Sequence, residues 1–133
     1  MFIFDVKNNL SIIRKTNGKL PRLPFARIKN KILGKDYALS IVFPTLKKSI
    51  QLHKKWKHKN TPVNILSFPL DTKEGEIFIS LSACRHEAKK YNRTYQQHLA
   101  CLFMHGVAHL SGHTHGHVMD TFEKKMQKLF LKS

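Results

Sequence analysis

The sequence predicts an α+β domain built around a histidine-bearing helix, and three observations carry that expectation. Short apolar runs, β-branched in Ala38–Phe43 and alternating in Glu76–Leu81, lie between stretches with helical apolar spacing. The stretch His105-Gly-Val-Ala-His109-Leu-Ser-Gly112 sets two imidazoles four residues apart, hence on one helical face, with a helix-ending glycine just beyond. No internal repeat or linker interrupts the 133 residues, so residues 1–133 read as a single domain.

Taken in order, Phe2–Val6 reads as a first strand, closed by the polar turn Lys7-Asn8-Asn9. Residues 10–20 are basic and carry no decisive period. Pro24 suits the first turn of a helix reaching about Leu33, with Gly34 at its end, and Arg27, Lys29 and Lys31 read as its solvated face. Ala38–Phe43, bounded by Asp36 and Pro44, is a buried strand. Pro44 opens a second helix whose inward stripe is expected at Leu46, Ile50 and His53. Pro62–Pro69 is extended and ends on a proline, the pattern of an edge strand. Residues 71–75 turn into a half-buried strand with Ile77, Ile79 and Leu81 on one face. Ser80 or Ser82 can cap a helix over about Ala83–Tyr91. Thr94-Tyr-Gln-Gln97 fits a capping box that opens the long helix to Ser111, with Tyr95, Leu99, Leu102, Phe103 and Leu110 on its buried side. A last helix is expected over Val118–Leu131, with Met119, Phe122, Met126, Leu129 and Phe130 inward.

Twenty-four Lys and Arg against eight Asp and Glu give a net charge of +16, the electrostatic footprint of a nucleic-acid binder. The cations concentrate at Lys47, Lys48, Lys54, Lys55, Lys57 and Lys59 around Trp56. Cations beside an aromatic suit single-stranded RNA, which offers phosphates to the charge and bases to the ring. Trp56 itself reads first as helix-end packing and second as a stacking platform. The first fifteen residues lack a long apolar core and no run is long enough to span a bilayer, so neither a secretory leader nor a membrane partner is expected. Cys84 and Cys101 lack CxxC spacing and read as small core residues of a reduced, cytoplasmic protein.

On a helix, His105 and His109 can address one ion, and the chain beyond Gly112 can return a third imidazole, with His113, His115 and His117 all available. Three neutral nitrogens with an open fourth position describe a catalytic zinc site better than a structural one. His-x3-His-x5-His with that glycine is also the spacing of the metzincin proteases, but these carry glutamate after the first histidine as general base, where this chain has Gly106. A peptidase is therefore disfavoured. His98, about 10 Å before His105 along the helix, is too far for the same ion and lines the groove or faces solvent. His53, His58 and His86 read as surface residues.

The same stretch resembles the HGxLHLxGxDH signature of the YbeY family of ribosomal RNA maturation endoribonucleases. Val63-Asn64-Ile65-Leu66-Ser67-Phe68-Pro69 is similar to its TDVLSFP motif, Gly75-Glu76-Ile77 and Ile79 to its GDIxI strand, and Met119 with Glu123 to its downstream element. Trp56-Lys57-His58-Lys59-Asn60 lies where that family has a YRGKD-like segment, and the likeness runs in order from about Ala38 to Leu129. The resemblance implies an α+β fold with a small mixed sheet of about four strands and a zincin-like helix. It further implies one zinc ion per chain held by His105, His109 and His115, and His109 and Lys57 as candidate catalytic residues. The implied activity is single-strand endoribonuclease cleavage in small-subunit rRNA 3′-end maturation and ribosome quality control, with the small ribosomal subunit and its assembly factors as partners. Two positions depart from the pattern: Thr114 replaces an aspartate before the third histidine, and Lys57 replaces an arginine. These departures motivate a second expectation, a metal-stabilised RNA-binding assembly factor without catalysis.

Overall fold

The computed structural model describes residues 2–17, 20–57, 64–112, 124, 125 and 128. Its elements run β1 (Phe2–Asp5), β2 (Leu10–Arg14), α1 (Phe25–Ile32), β3 (Ala38–Phe43), α2 (Leu46–Lys57), β4 (Ile65–Asp71), β5 (Glu74–Ile79), α3 (Leu81–Lys90) and α4 (Tyr95–Leu110). The strands form one mixed sheet in the order β1-β2-β3-β5-β4, with β2, β3 and β5 parallel and the two outer pairs antiparallel.

The sheet has five strands rather than about four, and the addition is β2, from the stretch whose period was indecisive. Its order comes from pairing with β3, Leu10 opposite Leu39 and Ile12 opposite Ile41, with Leu10 buried and Ile12 partly so. β4 is an edge strand as expected. The turn between β4 and β5 tightens to residues 72–73, and β5 begins at Glu74.

Alternation along the strands divides the apolar residues between two faces. Leu39, Ile41, Phe43, Ile77 and Ile79 pack with α1, α3 and α4 in the main core, where the Phe25 ring meets Phe103 edge-on at 5.0 Å. Leu66, Phe68 and Phe78 point the other way and receive Leu52 of α2. The inward stripe of α2 is therefore Ser49 and Leu52. Leu46 is exposed, and Ile50 and His53 are only half-buried, because the helix turns its other side to this smaller cluster. Trp56 leans its edge on Phe68 at 5.3 Å and leaves half of its surface to solvent, with the Lys55 ammonium 5.4 Å from its ring.

Lys29 also departs from expectation. It belongs to no solvated face: it is fully buried, and its Nζ donates to the carbonyls of Asn8 at 2.6 Å and Lys35 at 3.1 Å. One ammonium thus joins the turn after β1 to the loop before β3. Burial lowers its pKa, while Asp36 and Asp5 act to raise it. Of the expected last helix, residues 124, 125 and 128 are helical, and its proposed core stripe lies outside the described residues.

Candidate active site

α4 starts and stops where local chemistry dictates. The Thr94 hydroxyl accepts from the Gln97 amide at 3.0 Å and the Gln97 side chain accepts from the Thr94 amide at 3.0 Å, the reciprocal capping box. At the other end Gly112 takes φ +101°, a left-handed conformation that costs glycine little, and its amide bonds the His109 carbonyl at 3.0 Å. Between these ends, Leu99, Phe103, Met104 and Val107 are buried in the core. The opposite stripe, His98, Cys101, Leu102, His105 and His109, lines a cavity of about 500 Å³.

The cavity's other wall is Asn64, Ile65, Leu66 and Ser67 at the start of β4, and Arg93 closes one end. Among the described residues no carboxylate lines it, so its charged lining is cationic. The rings of His105 and His109 stand 4.8 Å apart at 70°, so the sequence-expected pair does converge. They occupy the last turns of α4, where the helix dipole favours a positive charge.

The donor set suits a divalent ion. Two imidazoles share one wall at the negative end of a helix, facing a hollow, which is the chemistry zinc uses. Among the described residues, no group of three or more His, Cys, Asp or Glu side chains could hold a metal. The third ligand expected at His115, its rivals His113 and His117, and Thr114 lie outside the described residues. Lys57 is the last residue of α2, and its side chain also lies outside them.

Gly106 packs directly against β4 and β5. A Cβ there would meet the Ile65 Cδ1 at 2.8 Å and the Ser67 Oγ at 3.0 Å. A glutamate at this position would collide with β4, so packing disfavours the peptidase arrangement in addition to the missing carboxylate. Glu76, matched to the aspartate of GDIxI, lies on the opposite sheet face, paired with Phe68 and Ser40, and burial raises its pKa.

The sequence does not disclose two parts of the site, Cys101 and Arg93, and it places His98 on the groove without its burial or its partners. Cys101 is no core residue but half-buried on the cavity wall, whereas Cys84 is fully buried and its thiol is pushed up to about 12. His98 is almost completely buried, and its Nε2 lies 3.0 Å from the Glu87 carboxylate. Arg93 reaches the His98 Nδ1 at 3.3 Å from the turn between α3 and α4. The available signal was the i, i+3, i+7 run of His98, Cys101 and His105, which continues the ligand face upstream.

Among the described residues no helix is long and apolar enough to cross a membrane. The family model described as Endoribonuclease YbeY matches residues 11–132. Endoribonuclease YbeY of Thermodesulfovibrio yellowstonii is 33% identical over 134 residues, covering 96% of this chain and 80% of the relative. That of Colwellia psychrerythraea is 30% identical over 103 residues, covering 72% of this chain and 65% of the relative. The solution structure of TM1509 from Thermotoga maritima is similar in fold, with TM-score 0.60 and 22% identity, covering 86% of this chain and 85% of that one. With its histidine helix, its Asn64–Ser67 wall and a family match across almost its whole length, this chain belongs to the YbeY endoribonuclease family.

Proposed function

We propose that this chain is a zinc-dependent, single-strand-specific endoribonuclease of the cytoplasm that acts in ribosomal RNA maturation. The observation that carries the reading is the convergence of His105 and His109 on a cavity whose charged lining is cationic. The membership in an endoribonuclease family and the net charge of +16 support it. The resemblance of the motif order to rRNA-maturing enzymes supports the ribosomal part, including the small subunit as partner.

His105, His109 and His115 would hold the ion. Bound zinc would supply Lewis-acid polarisation of a phosphoryl oxygen and acidify a water. Neutral ligands leave the ion's full charge to attract a phosphodiester. The chain's own contribution is positional: α4 fixes two imidazoles on the cavity wall, and Lys57, by its match to the family's arginine, would offer the phosphate a cation.

The test is incubation of zinc-loaded and chelated protein with single-stranded RNA, duplex RNA and casein, with His109→Ala as control. Zinc-dependent cuts confined to single strands are expected. RNA bound without any cut would establish the assembly-factor reading that Thr114 and Lys57 motivate, and cleaved casein would overturn both.

A further inference from the structure

Arg93 lines the cavity beside His98, two helical turns before the His105–His109 pair, and is itself exposed, yet its guanidinium is held against the buried His98 ring. Its Nη1 lies 3.3 Å from the His98 Nδ1. The His98 Nε2 lies 3.0 Å from one Glu87 oxygen, and the Asn64 amide donates to the other at 3.3 Å. The Tyr91 ring stacks on His98 at 5.7 Å and 23°, and the Arg93 guanidinium lies 5.7 Å from the same ring.

Arginine only donates, so the His98 Nδ1 must be the acceptor and its Nε2 must carry the proton given to Glu87. The arrangement therefore fixes both the tautomer and the orientation of the imidazole. Such wiring is unneeded for a solvated surface arginine, which would lose side-chain entropy for little return. It is what pre-organising a guanidinium fork requires. One of its five donors is used on His98, and the planar remainder suits a phosphate.

We propose that Arg93 binds a backbone phosphate of the single-stranded RNA, at a subsite separate from the scissile bond, with His98 and Glu87 as positioning residues. Seven helical residues separate His98 from His105, about 10 Å along the axis, so the phosphate held by Arg93 is not the one at the histidine pair. The subsite also restores a bidentate arginine to a chain that carries Lys57 in place of the family's arginine. This inference rests on RNA being the substrate, though not on its being cut.

The experiment measures affinity of the zinc-loaded full chain for a single-stranded RNA across a salt series, alongside single-turnover cleavage. Arg93→Ala is expected to flatten the log–log salt slope by about 0.7, the loss of one phosphate contact. Its affinity should fall about tenfold, as befits a charge-assisted hydrogen bond. Single-turnover cleavage at sub-saturating protein should fall in step with the affinity. His98→Ala should weaken binding in the same direction, and His98→Gln, whose amide oxygen can accept from Arg93, should recover part of the loss. Thermal melts of each variant separate a fold defect from a lost contact. An unchanged slope and affinity in Arg93→Ala would overturn the subsite while leaving the nuclease reading intact. A flattened slope in a chain that binds without cutting would uphold the subsite and sink the nuclease reading. Absence of RNA binding by the wild type would overturn both.

Discussion

The Ser67 hydroxyl donates to the Gly106 carbonyl oxygen across 3.3 Å, joining the edge strand to the histidine helix one residue beyond His105. The contact is possible because residue 106 has no side chain: Ile65, Ser67 and Ile77 already fill the space a Cβ would take. The distance between β4 and α4, and with it the width of the cavity, is therefore set at this point.

Gly106→Ala is expected to destabilise the protein by about 1–3 kcal/mol, the usual cost of overpacking. Denaturant melts would measure it. Ile65→Val in the same chain should recover part of the loss by withdrawing the methyl nearest the new Cβ; a double variant no more stable than Gly106→Ala would contradict this packing.

Replacing His105 or His109 with alanine should abolish stoichiometric zinc, measured by elemental analysis of the purified protein. Full zinc in either variant would remove the pair as ligands. His115→Ala should lose far more metal than His113→Ala or His117→Ala, and the reverse ranking would move the third ligand.

Lys57→Arg should preserve or raise cleavage, because a planar fork suits a phosphate better than a point charge. Lys57→Ala should slow single-turnover cleavage by about 100-fold, as loss of a transition-state donor does, with a smaller loss of binding. Equal losses in the two quantities would make Lys57 a docking residue.

Glu76 yields a pH dependence. Burial raises its pKa in the fold above the ordinary 4.5, so the fold favours the protonated form. That contribution to stability is complete below 4.5 and is lost as pH rises through the higher folded value. Glu76→Gln should accordingly raise Tm at neutral pH and match the wild type below pH 4.5. A variant that melts lower than wild type at neutral pH would show that the carboxylate's interactions outweigh its desolvation.

What could be read in the chain depended on how local the cause was. The capping box of Thr94 and Gln97, the end of α4 at Gly112 and the meeting of His105 with His109 all arise within one helix, and all were legible. β2 was not, because Leu10 and Ile12 acquire their order from β3, far along the sequence. The inward side of α2 was misread because its partner cluster, Leu66, Phe68 and Phe78, comes from two strands that follow it. Arg93 was silent for a related reason: only the turn between α3 and α4 brings it to His98, and only the fold brings Glu87 behind that ring.

The buried Lys29 ammonium has a practical consequence. An amine enclosed between two carbonyls is shielded from acylating reagents, while the many exposed lysines of this chain react at once. Its modification can proceed only when the β1 turn and the loop before β3 part, so its labelling rate reports every opening, local or global, that includes that corner. In mass spectrometry of pulse-acetylated protein, the peptide carrying Lys29 would serve as a built-in clock for partial unfolding, placed by the chain itself on the side of the sheet remote from β4.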